Sequence, residues 1–395
     1  MQFKDILGQK AVKDQLISIV HQNRLSHALL FLGKPGSGAL PLALAFSQYM
    51  VCTSAHPKPE ATLPVFENLP ANVAADSCGI CAACLKANKL IHPDIHFSYP
   101  VISKKPGEKP KSTDFIGDWR EFIAGYPYGT IYDWLQFIDA ENKQGNIYSA
   151  EVEDINHKLS LKSFESQYKI LLIWMPEFLG REGNKLLKLI EEPPPDTLFI
   201  FVAEDENAIL PTILSRTQLV KIPCLSDKEI EDALISRGGV EEIKARQIAG
   251  VCEGNYREAL QLLQHAEEDW QSLAREWLNA ILKSGPLAQV KWIDEMSRLG
   301  REKQKQFLRY FIHLLQQAIR LRLVSGNSLH IPANEKDFAE RLNRICNLPA
   351  QEAMINEFDK GTWYIERNAH AKMLFHALTI RLFHIIKDNS LILVN

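Results

Sequence analysis

The chain has 395 residues, too many for one compact domain, and two to three domains are expected. It is 46% hydrophobic and 24% charged, the balance of a globular protein, and no apolar run approaches the roughly 20 residues that span a bilayer. The opening Met1-Gln2-Phe3-Lys4-Asp5 carries no secretory pattern, so a cytoplasmic chain without a membrane partner is expected. A net charge of −3 argues against a broad basic surface that grips nucleic acid alone, so any DNA contact should be local or shared with other subunits.

Val12, Leu16, Ile19 and Val20 recur at helical spacing. His27-Ala-Leu-Leu-Phe-Leu32 is a near-continuous apolar run, as in a strand buried on both faces of a parallel sheet. It runs into Gly33-Lys-Pro-Gly-Ser-Gly38, and a helix is predicted from about Leu40 to Val51. Residues 53–77 read as a loop, and 103–118 as another. Trp119, Tyr126, Tyr128, Tyr132 and Trp134 then mark an insertion, about 103–145, that is either a hairpin or helical. Its aromatics suit hydrophobic packing more often than stacking on single-stranded bases.

An amphipathic helix follows at Ser149–Ser163, then a strand at Lys169–Trp174, a helix through Lys185–Ile190, and strands at Leu198–Ala203 and Gln218–Ile222. Alternating strands and helices imply a parallel α/β sheet. Beyond Ser226 strand signals vanish. Ser226-Asp-Lys-Glu229 has the form of a capping box, and short helical patterns run to about Ala266. Longer patterns follow. Phe307, Phe311, Leu314, Leu315, Ala318 and Leu321 form one apolar stripe, and Met373, Leu374, Ala377, Leu378 and Phe383 another. Such stripes face the core of a helical bundle, or less often a partner.

The glycine loop after the first strand has the setting of a phosphate-binding loop, in which backbone N–H groups and a helix N-terminus face phosphate oxygens. Such a loop needs a lysine for the β/γ-phosphates and a Ser or Thr hydroxyl for Mg²⁺; those places are held by Ala39 and Leu40, after Gly33, Gly36 and Gly38. Lys34 lies on the wrong side to substitute. The strand ending at Trp174 lacks the expected acidic pair as well: Trp174 and Met175 stand there, and Glu177 comes about three residues late. Taken alone, the glycines fit a plain turn equally well.

Cys78-Gly-Ile-Cys81-Ala-Ala-Cys84 needs a metal or redox explanation, and Cys52 lies upstream at the end of the second helix. Four thiolates can enclose a tetrahedral Zn²⁺. An iron–sulfur cluster usually has its fourth Cys three residues on, where this chain has Asn88 before Lys89; unligated cysteines are the bland alternative. Cys224, Cys252 and Cys346 are isolated and are expected in the core.

Several blocks together resemble the clamp-loader branch of the AAA+ ATPases: Phe3-Lys-Asp-Ile-Leu-Gly8-Gln9, Ser26–Phe31, Asn184-Lys-Leu-Leu-Lys-Leu-Ile-Glu191-Glu192-Pro193-Pro194, Leu210-Pro-Thr-Ile-Leu-Ser215-Arg216-Thr217, Gly254-Asn-Tyr-Arg257-Glu-Ala259 and Asn368–Leu374. Thr217 stands where the family's motif has Cys. The resemblance covers most of the chain except roughly 53–77 and 103–145. It implies an α/β followed by all-α architecture: a RecA-like AAA+ module over 1–222 with a zinc module at about 52–94, a helical lid over 223–272, and a helical collar over 273–395. It also supports Cys52, Cys78, Cys81 and Cys84 as a structural zinc set, followed by His92-Pro93-Asp94 as in the family.

Within that family the pattern is that of subunits whose own ATP site has degenerated. The resemblance implies a non-hydrolysing subunit of the DNA polymerase III clamp loader, without a functional ATP site. It implies that Arg216, with Ser215, supplies an arginine finger to a neighbouring subunit's ATP. The implied partners are gamma/tau and delta subunits in a pentameric loader, with the sliding clamp and primer–template DNA. Arg257 either keeps a nucleotide contact or pairs with a carboxylate. The alternatives are an active gamma/tau-like ATPase and a zinc-bearing scaffold outside replication.

Overall fold

The structure, a computed structural model, describes residues 1–56, 74–103, 109–140, 143, 145–264, 270–323, 333–367 and 369–388. Most of the 53–77 loop, Lys104 to Glu108 within the later loop, and Asn368 lie outside the described residues. By internal contacts the chain divides into two compact units, Met1–Leu260 and Gln261–Asn395.

The first unit is built on a five-stranded parallel sheet. Its elements run α1 (Lys10–His21), β1 (Ala28–Gly33), α2 (Ala39–Val51), α3 (Ala82–Asn88), β2 (Ile95–Ser98), α4 (Ile116–Gly125), α5 (Ile131–Phe137), α6 (Ser149–Ser160) and β3 (Lys169–Trp174). A 3-10 stretch over Pro176–Leu186 leads into α7 (Leu187–Glu191), β4 (Thr197–Ala203), α8 (Pro211–Leu214) and β5 (Gln218–Ile222). Then come α9 (Asp227–Gly238), α10 (Glu242–Val251) and α11 (Tyr256–Gln264). The strand order is β2-β3-β4-β1-β5. β1 lies between β4 and β5, with Leu30 opposite both Phe201 and Leu219. This is the parallel α/β sheet expected of an AAA+ module.

Four strands fall where the apolar runs predict them. β2 is an addition: it pairs with β3, Ile95 opposite Ile170, at the sheet edge. Four residues in which His96 and Ser98 alternate with Ile95 and Phe97 do not make an apolar run, so the sequence pattern hides it. The insertion, open between hairpin and helix in sequence, is helical, as α4 and α5. Its aromatics are packing groups: Trp119 and Trp134 are fully buried, and Tyr99 stacks on Trp119 with ring centroids 4.1 Å apart.

Asp94 fixes the edge of this sheet. Its carboxylate accepts N–H bonds from Phe164, Glu165 (2.7 Å) and Ser166 (2.8 Å), closing the turn that enters β3. Its own carbonyl accepts from Ile170 N at 2.8 Å. Burial opposes its charge, but those three backbone donors overcome it and hold the carboxyl below its ordinary range.

The capping box predicted at Ser226 is present: Ser226 N donates to Glu229 Oε2 at 2.8 Å, and Glu229 N donates to Ser226 Oγ at 3.3 Å. Cys252 is buried as expected, whereas Cys224 is exposed. The link after β5 turns Leu225 inward instead.

The second unit is helical: α12 (Trp270–Asn279), α13 (Pro286–Arg298), α14 (Arg301–Leu323), α15 (Ala333–Ile345), α16 (Leu348–Glu366) and α17 (Ala371–Asp388). Phe307, Phe311, Leu314, Leu315 and Ala318 of α14 are fully buried, as their spacing predicts, and Cys346 is buried too. The α17 stripe is rotated from the expected one. Phe375, Leu378, Leu382 and Ile385 face the core, while Met373 and Ala377 are exposed. The apolar residues of α17 surround the helix, so their order alone did not fix its phase. Among the described residues no helix is long and apolar enough to cross a membrane.

Asp94→Ala is expected to destabilise the chain by at least about 2 kcal/mol, since three N–H groups lose a charged acceptor. Because folding lowers the Asp94 pKa, its contribution is present above the unfolded value of 3.8 and is lost as pH falls through the lower folded value. Urea titrations between pH 7 and 3 check both: the variant should start less stable and lose less on acidification.

Candidate functional site

Ligands of open α/β sheets bind beyond the carboxyl ends of the strands, and the glycine loop lies there, between β1 and α2. Gly36 (φ +72°) and Gly38 (φ +94°) adopt left-handed backbone, and Asn255 closes on the loop so tightly that a Cβ at Gly36 would lie 1.8 Å from its Oδ1. Tyr256 N donates to Gly36 O at 3.3 Å. Gln9 Nε2 ties Ser37 O (3.0 Å) to Pro223 O (2.7 Å).

The helix that opens here is apolar but for Ser47, Gln48 and the Tyr49 hydroxyl, and every residue of α2 is buried. Ala39 and Leu40 are 9% and 4% exposed and belong to the main core. Tyr128 approaches from the insertion: its OH accepts from Leu7 N at 2.9 Å, and its ring meets Tyr256 edge-on at 5.0 Å. Burial pushes its phenol up to about 12, so it is a fixed hydrogen-bonding group at neutral pH.

At the end of β3, Trp174 is 2% exposed and packs against Trp119, and Met175 turns the chain at φ +57°. The late Glu177 does not replace the missing acid. Its Oε1 accepts from Glu204 N (2.7 Å) and Asp205 N (3.0 Å), and burial raises its pKa. Lys34 is exposed. What remains between Gly33, Gly36, Gly38, Ala39, Leu40, Tyr128, Trp174 and Glu204 is a cleft of about 20 Å³. That is room for a water or two, against the roughly 300–1,000 Å³ of a typical small-ligand pocket.

Arg257 is paired with a carboxylate, one of the two outcomes open from sequence. Its Nε and Nη2 fork onto Asp133 at 3.0 and 2.9 Å, with the guanidinium 4.8 Å over the Tyr126 ring. Asp133 also caps α5, accepting from Thr130 N at 2.8 Å. Asp133, Asn255 and Tyr128 escaped the sequence reading because their partners lie far along the chain.

Arg216 stands at the surface beyond α8, 34% of its side chain exposed. Nε donates to Glu191 Oε1 at 2.7 Å and Nη2 lies 2.5 Å from the same oxygen. Nη1 donates to Thr212 O at 2.8 Å and Ser215 Oγ at 3.1 Å. Two blocks separated in sequence, the LLK–EEPP segment and the Ser-Arg segment, therefore meet in one ion pair.

The four cysteines converge. Cys52 ends α2, Cys81 begins α3, and the Sγ atoms of Cys52, Cys78, Cys81 and Cys84 all lie within 4.8 Å of one another. Cys78 and Cys84 sulfurs are 3.9 Å apart, against about 3.8 Å for the edge of a tetrahedron with 2.3 Å Zn–S bonds. Backbone N–H groups of Cys78, Cys81 and Cys84 donate to the sulfurs of Cys52, Cys78 and Cys81 at 3.3–3.4 Å, favouring thiolates. A hydrogen bond from Ser54 draws Cys78 down to about 6, whereas burial pushes Cys84 up. This cluster can hold a metal ion, and its donor set fits zinc.

The family described as "DNA polymerase III, delta subunit" matches residues 8–226. The chain is 26% identical over 260 residues to DNA polymerase III subunit delta' of Bacillus subtilis, covering 66% of this chain and 60% of that protein. It is 26% identical over 270 residues to subunit tau of the same organism, covering 67% of this chain and 37% of tau. Subunit gamma of Buchnera aphidicola is 24% identical over 270 residues, 58% of its length. The matched region thus spans less than two thirds of each of these relatives. A solved gamma-subunit-related protein from Thermotoga maritima aligns over 93% of this chain and 97% of its own, at 14% identity and a TM-score of 0.34. The fold assignment stands on the sheet itself.

Removing Arg257 leaves Asp133 charged and buried without its cation. Arg257→Ala is expected to cost about 3 kcal/mol or more in urea unfolding, and Arg257→Ala with Asp133→Ala less than the sum of the two. Additive losses would mean the pair is not coupled.

Proposed function

The chain belongs to the DNA polymerase III delta-subunit family, and from that premise we propose that it is a clamp-loader subunit that does not hydrolyse ATP itself. The observation that carries this reading is the filled cleft. Where a lysine and a hydroxyl would meet a triphosphate, Ala39 and Leu40 join the core, and about 20 Å³ remains. A triphosphate there would find no lysine at the head of α2 and no acid at the end of β3 to hold magnesium.

Arg216 supports the second part of the proposal, that the subunit acts on a neighbour's nucleotide. A guanidinium is always charged and matches phosphate oxygens in its fork, and a trans arginine is worth about 10³–10⁵ in rate. Arg216 sits at the surface, reachable by a partner, with Ser215 bonded to it. The proposed partners are gamma/tau and delta subunits in a pentameric loader, with the sliding clamp and primer–template DNA reached through the complex. In this reading the sheet module over 1–222 is followed by a lid (223–272) and a collar (273–395), a finer division than the two compact units. Cys52, Cys78, Cys81 and Cys84 hold a structural zinc. When bound it ties the end of α2 to the start of α3, and the four thiolates leave no position for a substrate.

The isolated chain is expected to show no Mg²⁺-dependent ATP hydrolysis, and Arg216→Ala is expected to lower the ATPase rate of a reconstituted loader at least about 10²-fold with assembly intact. Turnover by the chain alone, or unchanged turnover with Arg216→Ala, sinks the reading. Elemental analysis should find about one zinc per chain, falling to near zero in Cys78→Ala with Cys81→Ala. Iron with visible absorbance would assign the cluster differently.

A further inference from the structure

We infer that Glu191 is a positioning residue for Arg216: it holds the guanidinium in the one orientation from which it reaches a neighbouring subunit's phosphate. This rests on the trans-arginine reading above and adds a residue to it. A guanidinium has five N–H hydrogens. Three are spent on hydrogen bonds within the chain, to Glu191 Oε1 (through Nε), Thr212 O and Ser215 Oγ, and Nη2 forms an ion pair with the same Glu191 oxygen. Beyond that ion pair Nη2 makes no hydrogen bond among the described residues, which leaves it a donor for an outside acceptor on a side chain that is 34% exposed.

Both partners are mounted on rigid supports. Glu191 is the last residue of α7, and Pro193 forces Glu192 out of helical geometry (φ −125°, ψ 72°), so the helix stops at that point. Its neighbour Ile190 is fully buried. On the other side Pro211 opens α8, Ile213 is 1% exposed, and Arg216 N donates to Ile213 O at 3.0 Å. Ile190 and Ile213 belong to one apolar cluster under the sheet. The pair therefore rises from a common floor, and the freedom of Arg216 is limited to its own side chain. Exposed ion pairs contribute little to stability, and Glu191 is 48% exposed, so the pair's use is geometric. A long flexible arginine loses rate when misplaced by as little as an ångström.

The test uses the reconstituted loader with Arg216→Ala, Glu191→Ala and Glu191→Gln in this chain. Gln keeps an oxygen at the same place and accepts the same N–H bonds; Ala does not. Glu191→Ala should lower kcat for ATP by about 10-fold to 100-fold with KM little changed. Glu191→Gln should recover most of that loss, and the melting temperature of all three chains should stay within about 2 °C of the parent. Loss with Arg216→Ala but an unchanged or raised rate with Glu191→Ala overturns the positioning role and leaves the trans arginine standing. No loss with Arg216→Ala overturns both. Equal losses for Glu191→Ala and Glu191→Gln also count against it, because the shape of the acceptor would then not matter.

Discussion

The first turn of α2 enters the core as Ala39 and Leu40, with Tyr128 on one side and Trp174 on the other. In a phosphate loop that turn is the electropositive end of a helix, kept open for an anion. Here Gly36 and Gly38 keep left-handed backbone, while the turn is covered by apolar groups and by Asn255. The whole of α2 is consequently solvent-free, and a helix with no wet face acts as the internal post of the sheet module. Its two ends are used differently: one is sealed by packing, and the other delivers Cys52 to the thiolate cluster.

Around that post the aromatic insertion does structural work. Tyr99, Trp119, Phe122, Trp134 and Trp174 form a continuous set of ring contacts from the edge of the sheet to the end of β3. Trp134 keeps its indole N–H satisfied on Pro100 O at 2.7 Å, so the cluster buries no orphaned donor at that ring. Trp174 stands where an acidic residue would bind magnesium, and it is the ring that joins the strand end to α4. Arg257 is likewise spent within the protein, forked onto Asp133.

Much of this was legible in the sequence because it is local. Four strands announce themselves as apolar runs, the capping box at Ser226 is a four-residue pattern, and the missing lysine is an identity at one position. The cysteine set was readable because metal ligands need particular residue types at close spacing. What was hidden depends on partners distant in the chain or on phase. β2 is too short and too mixed to stand out. Cys224 faces solvent because its neighbour Leu225 takes the inward place. On α17 apolar residues lie on every side, and only the surrounding helices select Phe375 and Leu378 over Met373. The Glu191–Arg216 pair joins residues 25 positions apart, and no periodicity predicts it.

The closeness of Asn255 to Gly36 limits what substitutions at the loop can achieve. Putting back the two missing chemical groups, by Ala39→Lys and Leu40→Thr, would place an ammonium and a hydroxyl in a space sized for water and walled by Trp174 and Tyr128. An unpartnered charge in such a place is expelled or neutralised. The roof contributed by Asn255 and Tyr256 would still lie on the loop. The neighbours that fill this volume, Trp174, Tyr128 and Asn255, therefore leave a lysine and a threonine at these positions without room or partners.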